Sequence, residues 1–130
     1  SGGTLQGIAK YLLEKNPDTK IVAVEPKGVS ALRGDKPGIH QIQGIGDGFI
    51  PDVLDTSIIT DIVEISDEDA INTARELAKV QGLLVGTSSG ANVFAAVKMA
   101  EKYGKDKVIA TILPDRAERY FSTSLFKEEI

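Results

Sequence analysis

The sequence predicts an α/β fold with three layers, in which helices cover both faces of a mostly parallel sheet. Short stretches rich in β-branched residues alternate with longer segments whose apolar residues recur at helical spacing. This alternation is typical of parallel sheets joined by helices. In such sheets ligands bind at the carboxyl ends of strands, beside helix N-termini, and three segments fit that position: "SGGT", "GTSSG" and "PDRAER".

The first half of the chain predicts one helix and two strands. Residues 4–15 predict a helix that Asn16-Pro17 ends, since apolar residues recur at helical spacing: Leu5, Ile8, Ala9 and Leu12. Residues 20–25, "KIVAVE", predict a buried strand, and residues 61–65, "DIVEI", a second one. The long loop between the strands, residues 26–51, contains "IQGIGDGFIP", which is too apolar for a disordered linker.

The second half predicts two helices and a further strand. Ser66 is a candidate helix cap, with Asp69 in the capping-box position, for a helix that runs to Val80. Residues 83–85 predict a short extended piece and residues 89–103 a helix that ends at Gly104. Residues 107–113, "KVIATIL", are the clearest buried strand of the sequence.

Composition excludes several classes of function. The 130 residues carry a net charge of −4 without a basic cluster, so nucleic acid is not an expected partner. Without cysteine there is no disulfide or thiolate chemistry, and the single histidine, His40, cannot by itself make a zinc site, so we expect no metal. No apolar run approaches the roughly 20 residues that span a bilayer, so we expect no membrane partner and a cytoplasmic protein.

The start of the chain bears on its domain organisation. Residues 1–130 have the length of a single α/β domain. The sequence opens inside a glycine-rich turn without an initiator methionine, so we expect a fragment or an excised domain of a longer chain.

Two helix starts are candidate binding sites. Ser1-Gly2-Gly3-Thr4 combines glycines, hydroxyls and a helix N-terminus, which suits a phosphate group. The "GTSSG" segment offers hydroxyls at a second helix start. On local grounds a simple hydroxyl cap is favoured at both starts, because small polar residues commonly cap helices.

Two other segments have a structural and a functional interpretation. The alternate glycines of "GIGDGF" suit a loop that wraps a small molecule, and the alternative is a surface turn with Ile45 and Phe49 tucked into the core. The charges of Asp115, Glu118 and Arg119 are interpreted as a solvated loop.

Five stretches, in this order, together resemble the C-terminal part of cysteine synthase, also called O-acetylserine sulfhydrylase. They are "SGGTLQGIAKYL", "VEP", "KPGIHQIQGIGDGFIPDVLD", "DEDAINTARELAKVQGLLVGTSSGA" and "ILPDRAERYFST". The resemblance covers nearly the whole chain. It implies that the chain is a fragment of a longer, two-domain enzyme, a transferase of cysteine biosynthesis that uses pyridoxal 5'-phosphate. It also implies part of the fold of type II enzymes of that cofactor.

The resemblance also implies roles for individual residues. The family's cofactor phosphate loop falls on Ser1, Gly2, Gly3 and Thr4, and its partner for the pyridine nitrogen falls on Ser88. The glycine-rich segment that borders the substrate supplies three further candidates: Gly44, Ile45 and Gly46. A neutral serine partner does not force protonation of the ring, which suits loss of a β-leaving group, here acetate from O-acetylserine, followed by addition of sulfide.

Three departures from the family pattern accompany the resemblance. Ala117 stands where the family usually has a glycine, and would strain the turn if that glycine has positive φ. Asp115 stands where many cysteine synthases have serine. None of the eleven lysines lies in the motif of the family's Schiff-base lysine, so no catalytic residue is assigned and the 130 residues alone are expected to be inactive.

The resemblance leaves alternatives and implies partners. The runner-up is a cystathionine β-synthase-like relative, and a different class is a non-catalytic, isolated α/β domain that retains an anion site. The family implies a homodimer, small-molecule substrates and possible binding of serine acetyltransferase.

Overall fold

The computed structural model describes residues 2–42, 45–46 and 48–127. The chain forms two compact units. The first consists of Ser1–Ile39 with Ile45–Glu64, and the second of His40–Gly44 with Ile65–Ile130. Among the described residues, no helix is long and apolar enough to cross a membrane.

The first unit contains a helix and a two-stranded sheet. Helix α1 spans Gly3–Lys15, and the sheet pairs β1, Val22–Pro26, with β2, Asp61–Ile65, whose last residue opens the second unit. Just before the strands, the amide of Thr60 donates to the Ile21 carbonyl at 2.7 Å. Both strands therefore start at the same edge and run parallel. The predicted α/β class with a parallel sheet is confirmed.

The second unit is built on a pair of helices. Helix α2 spans Asp67–Glu76 and continues into a π-helical turn, Leu77–Gln81, and helix α3 spans Thr87–Tyr103. The predicted cap of α2 is confirmed, because the Ser66 hydroxyl accepts a hydrogen bond from the Asp69 amide at 3.1 Å.

The two helices of the second unit approach closely at Gly90. A methyl group at that position would lie 2.8 Å from the Ala74 amide nitrogen and 2.9 Å from the Ala74 Cβ, and would collide with the Ala70 carbonyl oxygen. Only a residue without a side chain allows α3 to pack this near to α2.

Around this helix pair lies a small core. Its buried members are Ile71, Ala74, Tyr120 and Leu125. Arg75 connects the last described residues to α2 by hydrogen bonds. Its guanidinium donates to three carbonyl oxygens: those of Ser124 at 2.5 Å, Lys127 at 2.8 Å and Leu125 at 2.9 Å.

The strand predicted at residues 107–113 is not formed. No described strand pairs with this segment, and Val108 is 96% exposed and Ile112 45% exposed. Its β-branched residues suit a strand, but a strand exists only where a neighbour completes its hydrogen bonds. The shorter extended piece at 83–85 does find one such neighbour, through an antiparallel bridge between Val85 and Arg116.

Candidate functional site

Helix α1 begins with a glycine turn that no side chain caps. Gly2 is the N-cap residue with φ 79°, in the left-handed region, and its carbonyl accepts from the Gln6 amide at 2.9 Å. Thr4 lies inside the helix and makes no cap, so a hydroxyl cap by Thr4 is wrong, whereas a cap by Ser1 stays a prediction. Ser1 lies outside the described residues.

The environment of Gly2 leaves the α1 amides available. A Cβ at Gly2 would lie 3.3 Å from Leu54 Cβ and 3.4 Å from Pro51 Cγ, while Gly3 and Thr4 are exposed. The first amides of any α-helix lack internal acceptors and carry partial positive charge. The α1 start therefore offers N–H donors to an anion, as a phosphate loop must.

The glycine-rich segment is only partly described, and its residues Ile45 and Gly46 lie in the same unit as α1. Ile45 and Gly46 are half-buried, Gly46 has φ 71°, and Gly44 lies outside the described residues. Phe49 is 60% exposed, so the alternative in which it tucks into the core is wrong. The roles of Ile45 and Gly46 beside the substrate therefore stay a prediction.

Helix α3 begins in a buried and uncapped turn. It starts two residues earlier than predicted, with Gly86 as the N-cap and no side-chain cap hydrogen bond. The hydroxyl cap predicted here is therefore wrong: Thr87, Ser88 and Ser89 lie inside the first turn and are 1%, 4% and 0% exposed. Among the described residues the Ser89 hydroxyl has no hydrogen-bond partner.

A buried helix start without a cap is unusual. The first amides of a helix need acceptors, and burial removes water as a source of them. Here a hydroxyl without a partner lies in the same turn. Such a turn fits a ligand that brings its own polar atoms, as the ring of pyridoxal phosphate does.

The structure brings two of the three candidate segments together. The Gly86 amide, in "GTSSG", donates to the Asp115 carbonyl, in "PDRAER", at 3.2 Å. The Tyr120 hydroxyl donates to Asp115 Oδ2, while Asp115 Oδ1 is buried and has no partner among the described residues. The interpretation of Asp115 as a solvated charge is therefore wrong, whereas Glu118 and Arg119 are exposed as expected.

This arrangement changes the pKa of the Tyr120 phenol. Burial, the hydrogen bond to Asp115 and the charge of Asp115 together raise the pKa of Tyr120 to about 12. Nearby Arg119 opposes the shift only in part. Sequence reasoning missed this pair, because nothing in the pattern that follows Pro114 indicates a contact between Asp115 and Tyr120.

Ala117 is accommodated without backbone strain. It is 4% exposed in a 3-10 turn, Ala117–Tyr120, and no described residue other than glycine has positive φ. Its amide donates to the Leu84 carbonyl at 3.1 Å. The strain considered for an alanine here is therefore absent.

Comparison with known proteins identifies the family. The sequence pattern described as "Pyridoxal-phosphate dependent enzyme" matches residues 1–115. The chain belongs to this family. The cofactor expected from the sequence is thus confirmed as the cofactor of the family. Taken separately, the start of α1 offers amide donors of the kind that suit a phosphate group, and the start of α3 offers hydroxyls.

Individual relatives show which enzymes of the family the chain is similar to. The chain is 52% identical over 126 residues to cysteine synthase B of Campylobacter jejuni, covering 97% of this chain and 42% of that protein. The structure of O-acetyl serine sulfhydrylase isoform 3 from Entamoeba histolytica matches with a TM-score of 0.95 at 41% identity, over 99% of this chain and 39% of that one.

A third similar structure has a different activity in its name. The O-acetylserine dependent cystathionine β-synthase of Helicobacter pylori matches with a TM-score of 0.91 at 44% identity, over 97% of this chain and 41% of that one. The chain therefore spans about two fifths of the length of the proteins it matches.

Proposed function

We propose that this chain is the cofactor-holding part of a cysteine synthase that makes L-cysteine from O-acetylserine and sulfide. The observation that carries the proposal is the start of α3, which is buried, uncapped and rich in hydroxyls. It occurs in a chain that is 52% identical to a cysteine synthase.

Each helix start has a separate role in this proposal. The α1 amides at Gly3 and Thr4 bind the cofactor phosphate, assisted by the positive end of the helix. The Ser88 hydroxyl is the partner of the ring nitrogen and fixes the orientation of the ring. When bound, the cofactor supplies the electron sink for loss of the β-leaving group.

The glycine-rich segment is proposed to border the amino-acid substrate. Gly46 adopts a left-handed backbone conformation that side-chain-bearing residues rarely take. We propose that Gly44, Ile45 and Gly46 let the backbone close around the substrate and exclude water from it.

The covalent lysine of the reaction is proposed not to be among those of this chain. All eleven lysines are exposed to solvent. A lysine that bonds covalently to the carbonyl carbon of the cofactor has to lie in an enclosed site. We therefore expect the isolated 130 residues to bind the cofactor without turning over substrate.

Cofactor binding is the first test. Pyridoxal 5'-phosphate is titrated into the chain and followed by absorbance, for the unmodified chain, Ser88→Ala and Ser122→Ala. Ser122 is exposed in the same unit and serves as the matched control. Weaker binding by Ser88→Ala alone supports the proposal, and equal binding by all three removes Ser88 from the site.

Activity is tested in a chimera. The matching 126 residues of the Campylobacter jejuni enzyme are replaced by this chain, and cysteine formation from O-acetylserine and sulfide is measured. Condensation with homocysteine instead of sulfide would favour the cystathionine β-synthase-like alternative. A chimera that binds phosphate and neither makes cysteine nor cystathionine would favour a non-catalytic domain.

Three properties of the family remain proposals for the whole protein. We propose a homodimer, a cytoplasmic location and binding of serine acetyltransferase. Sedimentation of the whole protein, with and without the acetyltransferase, tests the first and third, and fractionation of the source cells tests the second.

A further inference from the structure

The second unit contains a cavity of about 550 Å³ beside α2, its π-helical turn and the last described residues. This volume lies in the range of cavities that bind small molecules. Seven of the ten described residues that line it are apolar, among them Leu84, Val85 and Phe126. Leu84 is 62% exposed and Phe126 43% exposed, so the described part of the second unit leaves this apolar surface uncovered.

Hydrogen bonds hold the walls of the cavity in place. The Arg75 guanidinium, on α2, donates to the carbonyl oxygens of Leu125 at 2.9 Å and Lys127 at 2.8 Å. On another side, the Ala117 amide donates to the Leu84 carbonyl at 3.1 Å. The cavity is therefore formed before a ligand arrives, and a preformed site lowers the cost of ordering side chains on binding.

All charged side chains in the described lining of the cavity are cations. They are Arg75, Lys79 and Lys127, and no acidic residue accompanies them there. In the described part of the chain, none of the three forms a salt bridge. The chain as a whole has a net charge of −4, so composition does not account for a cavity with only positive side chains. An anion bound between these cations would relieve their mutual repulsion.

The lining also defines the body of the ligand. Its side chains with hydrogen-bonding groups are the three cations, which donate and cannot accept. A ligand with hydroxyls or amides along its body would bury many of them against apolar side chains, at a cost in binding free energy. The hydrogen bonds of Arg75 use Nε and Nη2, so among the described residues Nη1 keeps its donors for an acid group. These features suit one anionic group on a plain hydrocarbon chain.

We propose that this cavity binds a medium-chain alkyl carboxylate, with the hydrocarbon chain along Leu84 and Phe126 and the carboxylate among the three cations. The chain matches the apolar lining, and removal of its methylene groups from water drives binding. The carboxylate accepts hydrogen bonds from cationic donors, which are stronger than those from neutral donors. The site does not use the starts of α1 and α3, so it is independent of the proposed cofactor-holding role.

Calorimetric titration of the chain with decanoate, below the concentration at which it forms micelles, measures this binding. Each buried methylene group tightens binding about fourfold, so decanoate should bind about fifteenfold more tightly than octanoate. Decanol and decylamine carry the same hydrocarbon chain without the negative charge and should bind more weakly. Added salt should weaken the binding of decanoate and leave that of decanol unchanged, because ions in solution screen the charges at the cavity.

Replacement of the exposed lysines locates the site. Lys79→Gln and Lys127→Gln should each weaken the binding of decanoate about threefold, as loss of an exposed charge pair does, and the double variant about tenfold. Lys105→Gln is the matched control, because Lys105 is an exposed lysine of the same unit that does not line the cavity. Arg75 is left unchanged, because its hydrogen bonds hold a wall of the cavity.

The comparison of ligands and variants decides the assignment. Binding that requires the carboxylate, tightens with chain length and weakens in the double variant supports the proposal. Decylamine that binds as tightly as decanoate, or a double variant with the affinity of Lys105→Gln, overturns it. Sedimentation tests a second copy of the chain as the occupant: a dimer that decanoate dissociates would assign the cavity to contact between chains and overturn the ligand site.

Discussion

Replacing Gly90 by alanine tests the contact on which the second unit is built. The added methyl group meets the Ala74 amide nitrogen at 2.8 Å, the Ala74 Cβ at 2.9 Å and the Ala70 carbonyl oxygen more closely still. Two of these three atoms belong to the backbone of α2, so no side-chain rotation relieves the overlap. Either α3 moves away from α2 or the helices deform.

The expected magnitude follows from two opposing effects. Overpacking of a core costs about 1–3 kcal/mol, and backbone neighbours place this site at the upper end. Alanine is a better helix former than glycine and returns about 1 kcal/mol. We therefore expect Gly90→Ala to lower the free energy of unfolding by about 2 kcal/mol.

Urea denaturation followed by circular dichroism measures this loss. Gly7→Ala is the matched control, because Gly7 lies inside α1 and a Cβ there meets no atom within 4 Å. The control should gain about 0.5–1 kcal/mol from helix propensity alone. If Gly90→Ala proves as stable as Gly7→Ala, the close approach of α3 to α2 is refuted.

Four further predictions concern single residues. In Asp115→Asn the pKa of Tyr120 should fall part-way from about 12 toward the ordinary 10.0, by tyrosinate absorbance, because burial persists when the charge is lost. In the unmodified chain the stability from Tyr120 is present below pH 10.0 and is lost as the pH rises to about 12, so urea midpoints should fall over that range. Ser66→Ala should cost about 1 kcal/mol in urea while Ser66→Thr keeps the cap, and equal stabilities would contradict the cap. Gly2→Ala should cost about 1–2 kcal/mol, because a side chain disfavours its left-handed backbone, and unchanged hydrogen exchange in α1 would contradict this.

Local signals predicted the elements whose stability is itself local. Ser66 marks the start of α2 because its hydroxyl bonds an amide three residues on, an interaction that needs nothing distant in the sequence. The strand at 61–65 was also placed correctly, because its β-branched pattern agrees with a partner that lies within the same unit.

The failures have non-local causes. Residues 107–113 have the composition of a strand, yet a ladder requires a neighbour that composition does not reveal. The helix predicted to end at Val80 changes to π-helical hydrogen bonding from Leu77, although its apolar spacing continues. Periodicity follows the direction of side chains and is insensitive to such a change of hydrogen-bond register.

In the candidate site, too, local features were predicted from the sequence and those that depend on distant residues were not. The hydroxyls of "GTSSG" were recognised from sequence as a candidate cap. Their burial inside the first turn of α3, without a cap hydrogen bond, depends on tertiary packing that the sequence does not reveal. The Asp115 and Tyr120 pair was beyond reach for a similar reason. Five positions along the chain separate the two residues, and only the turn that begins at Ala117 brings them together.

The segment at residues 107–113 has a practical consequence for handling the chain. After Lys107 it presents a strand-like run without charge, residues 108–113, with Val108 almost fully exposed, and unpaired segments of this composition are templates for association between molecules. Solutions of the chain will therefore tend to aggregate as concentration rises. A lysine at Val108, where the side chain contributes nothing to the interior, is the least disruptive way to keep the chain monodisperse during the measurements described above.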